Sequence, residues 1–310
     1  MAEIVLDNVT RRFGEVTALD NLSFSVEPGE IFALVGPDGA GKTTCLRLLC
    51  GLVEPDQGNI QVLGKDVAAD PEAIKSEIGY MSQRFGLYDD LTVAENIAFY
   101  AELYEVPRAE YRERRERLLA FSGLAPFMDR LFRNLSGGMK QKVGLSCALI
   151  HTPRVLFLDE PTNGVDPVSR RDFWKLLYEL NREKVTIVVA TTYLDEADRC
   201  HRLALLDHGQ ARAVVTPLEL RGLAQGRLFR LTVSDRREAL RRLRERPDVA
   251  HPNIHGPSVH FGLKKGSEPE QVSAALTEAG LTVFELRSAA PSLEDAYLAL
   301  LSRETAEDLA

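Results

Sequence analysis

Apolar positions in the first part of the chain come in short blocks. Ile4-Val5-Leu6, Thr17-Ala18-Leu19 and Leu22-Ser23-Phe24-Ser25-Val26 are apolar or alternating runs. Turn residues such as Phe13-Gly14 and Glu27-Pro28-Gly29-Glu30 divide them, which predicts β structure over residues 3–35. Ile31-Phe32-Ala33-Leu34-Val35 reads as a buried strand, and Asn59-Ile60-Gln61-Val62-Leu63 and Ile78-Gly79-Tyr80-Met81-Ser82-Gln83 as two more. From residue 91 to 132 the period becomes helical. Thr92-Val93-Ala94-Glu95 is a capping box, and Ile97, Tyr100, Ala101 and Tyr104 continue one face until Pro107. A second helix over residues 111–121 interleaves Arg112, Arg114, Arg115 and Arg117 with glutamates, a solvated face of i,i+4 pairs. Val155-Leu156-Phe157-Leu158 and Val185-Thr186-Ile187-Val188-Val189-Ala190 are buried strands around a helix over 167–180 with Phe173, Leu176, Leu177 and Leu180 inward. Leu203-Ala204-Leu205-Leu206 and the turn His208-Gly209 complete a sheet, with His201 and His208 expected at the surface.

Between the strand ending at Val35 and a helix through Cys45, Leu46, Leu48 and Leu49 lies Gly36-Pro37-Asp38-Gly39-Ala40-Gly41-Lys42-Thr43-Thr44. Strand, glycine loop and helix are the context a G-x-x-x-x-G-K-[ST] match requires. The glycines let successive backbone N–H groups turn inward as an anion nest, reinforced by the helix N-terminus. Lys42 then reaches the β and γ phosphates of a nucleotide, and the Thr43 hydroxyl ligates Mg²⁺. Asp159 and Glu160 end a central buried strand, and α/β sheets place ligands at such carboxyl ends. Asp159 fits the Mg²⁺ shell, and Glu160 fits a base that polarises water for attack on the γ phosphate. Gln83 fits a neutral contact to Mg²⁺ or water, or a solvent-facing amide. Phe13 fits an adenine-stacking ring or an aromatic packed in a hairpin. Ser136-Gly137-Gly138 opens a helix through residue 149 and reads as an ordinary N-cap or a second anion site.

Composition narrows the partners. A net charge of −8 over 310 residues lacks the basic face that nucleic acid requires, so none is expected as a partner. Cys45, Cys50, Cys147 and Cys200 are scattered without a C-x-x-C, which predicts buried thiols in a reducing compartment. The first residues show no basic region followed by an apolar block, and no run approaches a membrane span, so a cytoplasmic protein is expected.

With the phosphate loop, Gln83, Leu135-Ser136-Gly137-Gly138-Met139, Asp159-Glu160 and Asp166 in this order, residues 1–216 resemble the nucleotide-binding subunit of ABC transporters. Gln141-Lys142 and Tyr193-Leu194-Asp195-Glu196-Ala197 make the chain most similar to ATPases of ABC-2-type exporters. The resemblance implies an α/β P-loop NTPase fold with an N-terminal antiparallel part and a helical subdomain over about 88–150. It implies ATP and Mg²⁺ as cofactors, Phe13 as the adenine-stacking position, and Gln83 as the link between Mg²⁺ and a membrane permease. Gly36, Asp38, Gly39, Ala40, Gly41, Lys42, Thr43 and Thr44 hold the nucleotide. Ser136, Gly137 and Gly138 clamp the γ phosphate of an opposing ATPase subunit, and Asp166 lies at the dimer seam.

Two positions depart from the family pattern. Thr192 stands where relatives carry a histidine that contacts the γ phosphate and holds water and glutamate in register, and Asp38 stands where asparagine is common. Both resemble the degenerate first cassette of tandem-ATPase exporters. The expectation is an asymmetric dimer in which this chain's own site is slow, while its signature completes the site of a second ATPase. The alternatives are a fully active homodimer and a soluble, non-transport ABC ATPase. Beyond a linker at 217–227, residues 228–310 alternate strands and helices in the order of a small α+β split βαβ domain. Pro291-Ser292-Leu293-Glu294-Asp295-Ala296-Tyr297 resembles the end of an accessory domain found on many ABC-2 ATPases. Basic residues over 236–246 fit a solvated face or contact with anionic lipid.

Overall fold

The computed structural model describes residues 2–83, 86–223, 228–264, 266–289 and 292–301. It divides into two compact units, Met1–Val215 and Thr216–Ala310. In chain order the first unit carries β1 (Ile4–Phe13), β2 (Val16–Val26), β3 (Ile31–Val35), α1 (Lys42–Leu49), β4 (Gln57–Val62), β5 (Lys65–Asp66), α2 (Glu72–Lys75) and β6 (Ile78–Met81). Then come α3 (Val93–Leu103), α4 (Arg108–Ser122), α5 (Gly137–Leu149), β7 (Val155–Asp159), α6 (Pro167–Arg182), β8 (Thr186–Thr191), α7 (Leu194–Ala197), β9 (Arg202–Asp207) and β10 (Gln210–Val215).

One sheet, in the order β2-β1-β4-β5, is antiparallel throughout. The second, β10-β9-β3-β8-β7-β6, is parallel except for the β9–β10 hairpin at its edge. Every residue of β3, β7 and β8 is buried, as continuous apolar strands covered on both faces should be. Phe24 and Phe32 stack at 5.1 Å between ring centroids, tying β2 to β3. The two short runs expected around Thr17 and Phe24 form one strand. Asn8 and Asn21 take left-handed φ of 52°, and Ser23 and Thr10 hydroxyls accept their N–H groups, so a bulge absorbs the polar residues without ending the strand.

The helical part, α3 to α5, has its own buried cluster of Val93, Ile97, Leu119, Phe132, Val143 and Cys147. Thr92 and Glu95 close a reciprocal capping box at the start of α3. Buried Asn96 spends its amide on the carbonyls of Tyr88, Leu91 and Thr92, which shapes the segment leading into that helix. The arginine run on α4 pairs as expected, Arg112 with Glu116 and Arg114 with Glu110, while Arg117 reaches Glu183 across 66 residues of chain. His201 is exposed, as expected, and its Nδ1 also accepts the Ile31 N–H at 2.9 Å where β3 begins. His208 stays largely exposed beside Asp207.

The second unit carries α8 (Pro217–Leu223), β11 (Leu228–Val233), α9 (Arg236–Arg244), β12 (Val249–His255), β13 (Ser258–Leu263), α10 (Pro269–Glu278), β14 (Val283–Ser288) and α11 (Leu293–Leu301). The sheet order β12-β13-β11-β14 is antiparallel throughout, and the βαββαβ path is that of a split βαβ sandwich. One expectation needs correction. The stretch 217–227 is not simply a linker: Thr216 caps α8 reciprocally with Glu219, Leu220 is fully buried, and α8 packs on α11. Residues 224–227 lie outside the described ones, as does Pro291. Strand β12 accommodates Pro252 at a register shift on the sheet edge, where a missing N–H breaks no ladder bond. On α9, Arg241 and Arg242 both bind Glu238, and Arg241 also binds Glu245, so much of its basic charge is met within the helix. Among the described residues no helix is long and apolar enough to cross a membrane.

Candidate nucleotide site

The loop after β3 owes its shape to glycine at two points. A Cβ on Gly36 would stand 2.2 Å from the Leu206 carbonyl oxygen. Gly41, the N-cap of α1, has φ of 102°, and a Cβ there would meet the Ala18 carbonyl oxygen at 2.5 Å. No side chain caps α1. The N–H groups of its first turn therefore have no intrahelical acceptor and no capping oxygen, a cradle suited to a polyphosphate.

Lys42 lies almost wholly inside this cradle, and its ammonium donates to the carbonyls of Gly36 at 2.8 Å and Pro37 at 2.9 Å. Glu160 Oε1 is 3.9 Å away. Burial holds the Lys42 pKa below the ordinary lysine value, partly offset by Glu160, Asp38 and Asp159. Thr43 Oγ1 donates to Asp159 Oδ1 at 3.0 Å. Burial pushes the Asp159 carboxyl above its ordinary range, against the Thr43 hydrogen bond that favours the charged form. A hydroxyl and a buried carboxylate side by side form an all-oxygen donor set of the kind Mg²⁺ takes.

Glu160 sits one residue past β7 with a left-handed φ of 47°. Its N–H donates to the Ala190 carbonyl at 2.8 Å, which holds the turn against β8. Its Oε2 accepts Gln83 Nε2 and Asn163 Nδ2, each at 3.0 Å, so one oxygen is anchored while Oε1 faces Lys42. Asp38, Gly39, Gly41, Lys42, Thr43, Thr44, Gln83 and Glu160 line one open cleft of about 380 Å³ together with Val16, Thr17 and Ala18.

The structure does not bring every expected residue into that cleft. Phe13 is 46% exposed at the end of β1 with the Arg11 guanidinium 4.7 Å from its ring centroid, and the β2 residues Val16 to Ala18 form the wall instead. Thr192 is exposed beyond the end of β8 and is not among the lining residues. Ser136, Gly137, Gly138 and Asp166 form a separate patch. Ser136 caps α5 by accepting the Met139 N–H, and a Cβ on Gly138 would meet Ser169 at 2.6 Å. Asp166 Oδ1 accepts the N–H groups of Val168 and Ser169 at 3.0 Å. The Ser169 hydroxyl above all, with these N–H groups, holds its carboxyl below the ordinary range.

Asn163 and a buried joint behind the cleft carry no motif in the sequence. Glu196 on α7 is fully buried and accepts the hydroxyls of Thr162, in the turn after Glu160, and of Thr191, at the end of β8. Thr191 Oγ1 in turn accepts the Tyr193 N–H at 3.0 Å, and Arg170 lies over the Tyr193 ring at 4.1 Å. The joint therefore ties the segment bearing Glu160 to the segment bearing Thr192.

A parallel sheet, a glycine cradle at the carboxyl end of β3, and a Lys–Thr–Asp–Glu cluster above it define a P-loop nucleotide-binding protein of the ATPase class. The ABC transporter family profile matches residues 19–163. The probable multidrug ABC transporter ATP-binding protein YbhF of Escherichia coli is 41% identical over 97% of this chain and 52% of that protein. The chain thus spans about half the length of that relative. The daunorubicin/doxorubicin resistance ATP-binding protein DrrA of Streptomyces peucetius is 34% identical over 96% of this chain and 92% of that protein. An ATP-binding cassette solved as a dimer in a post-hydrolysis state with ADP and phosphate is similar at a TM-score of 0.63 and 27% identity. It covers 69% of this chain and 98% of its own. The chain belongs to the ATP-binding proteins of ABC transporters, a family of ATPases.

Proposed function

We propose that this chain is the ATP-hydrolysing subunit of an exporter, paired head to tail with a second ATP-binding cassette and acting on a separate membrane permease. The observation that carries the reading is the Lys42–Glu160 arrangement: a buried ammonium and a carboxylate 3.9 Å apart, the latter steadied by Gln83 and Asn163. Lys42 and the first turn of α1 hold the polyphosphate, Thr43 and Asp159 hold Mg²⁺, and Glu160 orients and deprotonates the attacking water through Oε1. Bound Mg²⁺ supplies neutralisation of phosphate charge.

The Ser136–Gly138 patch stands apart from the cleft, so its exposed helix start is free for the nucleotide of another cassette. Asp166 then lies at the seam. The exposed side chains of Tyr88 and Phe99, in edge contact at 4.9 Å, and of Leu103 offer an apolar surface for the permease. Through it we place the chain on the inner face of the cell membrane. The names of the relatives support export of a drug-like compound.

Thr192 makes the pairing asymmetric. A threonine at that place is too short to bridge phosphate and Glu160, and it carries no positive charge. Losing one positioned group of this kind costs about a hundredfold in rate. The second cassette therefore carries the faster site, completed by this chain's signature. Turnover of the purified chain tests the reading: slow hydrolysis that Thr192→His accelerates supports it. Brisk hydrolysis by the unaltered chain, abolished by Glu160→Gln, removes the asymmetry.

A further inference from the structure

The second unit contains a cluster that nucleotide chemistry leaves unused. His255 ends β12 and His260 lies on β13. Asn253 pairs with His260 and His255 with Ser258, so the two imidazoles are diagonal neighbours on one face of the hairpin. Their rings lie 4.7 Å apart between centroids. The first turn of α11 brings Asp295 onto the same face, with Oδ2 3.9 Å from His260 Nδ1. Glu294 Oε2 is 3.8 Å from His255 Nε2.

The nitrogens that face this cluster are unmet. His255 Nε2 and His260 Nδ1 are shielded from solvent and have no hydrogen-bond partner. The carboxylates stand just beyond hydrogen-bonding distance. Ligand atoms of His255, His260 and Asp295 all lie within 4.8 Å of one another. Ligands of one tetrahedral ion sit about 3.3 Å apart, so side-chain rotation closing the widest pair by about 1.5 Å brings these three to that spacing. The Ser292 N–H and hydroxyl both donate to Asp295 Oδ2, at 2.9 and 2.6 Å, which fixes the position of the carboxylate.

We propose that His255, His260 and Asp295 form a divalent transition-metal site, best matched to Zn²⁺, that pins the start of α11 to the β12–β13 hairpin. Two imidazoles with one carboxylate suit Zn²⁺ and its neighbours and disfavour Mg²⁺ and Ca²⁺, which take oxygen ligands. Glu294 Oε2, 3.8 Å from His255 Nε2, offers a fourth ligand.

The test uses the full chain, stripped with a chelator and titrated with Zn²⁺ against a chromophoric competitor. The expected result is one more tightly held Zn²⁺ per chain than in the His255→Ala/His260→Ala variant, and a metal-dependent rise in melting temperature confined to the unaltered chain. Asp295→Asn keeps an oxygen for Ser292 but removes the charge, and should weaken binding at least about tenfold. Co²⁺ added to the unaltered chain gives a readout independent of variant folding. A four- or five-coordinate visible spectrum without a thiolate band supports the site. Equal Zn²⁺ content in the unaltered and double-variant chains, or a six-coordinate Co²⁺ spectrum, overturns it.

Discussion

Glu196→Ala probes the joint that links the Glu160 turn to the end of β8. Its carboxylate accepts from Thr162 and Thr191, and all three side chains are at most 1% exposed. Truncation strips both hydroxyls of their acceptor and leaves a cavity. Two hydrogen bonds to a charged acceptor contribute about 1.5–3 kcal/mol each, while ending the burial of a carboxylate returns part of that. The net loss is about 3–4 kcal/mol. For a unit of this size that lowers the melting temperature by about 6–16 °C. Arg170 loses the carboxylate 3.9 Å from its buried Nε but retains Asp195 at 3.6 Å from its terminal nitrogen. Glu196→Gln keeps one acceptor oxygen and should lose only about 1 kcal/mol. The assay is thermal and urea unfolding of both variants, together with a Thr162→Val/Glu196→Ala double-mutant cycle. The cycle should return a coupling of about 0.5–3 kcal/mol. An alanine variant within about 0.5 kcal/mol of the unaltered chain, or strictly additive effects, refutes the joint.

Asp159→Asn should stabilise the nucleotide-free protein near neutral pH while impairing Mg²⁺-dependent turnover. Burial raises the folded pKa of this carboxyl, so its ionised form costs stability above that pKa. The cost vanishes as pH falls into the ordinary carboxylate range, and melting curves of the two proteins should converge there. Gly41→Ala meets a positive φ and the Ala18 carbonyl oxygen at 2.5 Å. It should destabilise the first unit by about 2 kcal/mol or more and abolish binding of a fluorescent ATP analogue in titrations.

Local chemistry made the cradle legible before any coordinates. Gly36 and Gly41 stand where a side chain would strike backbone, and the lysine and threonine follow directly in the chain. The Thr92–Glu95 box is equally local, which is why the start of α3 falls where its spacing predicts. What sequence hid is mostly long-range: Glu196 meets Thr162 across 34 residues. Asn163 lies only three residues from Glu160, but nothing in its residue type marks it as a partner of that carboxylate. β12 carries a proline that reads as a break until its edge position is known. The cluster of His255, His260 and Asp295 depends on a helix returning over a hairpin.

Mass measurement of the Glu160→Gln chain at saturating Mg-ATP tests the central claim most directly. The chain carries both a phosphate cradle and a Ser136–Gly138 patch, so two copies can share nucleotides across a seam even where the natural partner differs. The account predicts an ATP-dependent dimer that Lys42→Ala and Ser136→Arg each abolish. A chain that binds ATP fully yet remains a monomer contradicts it.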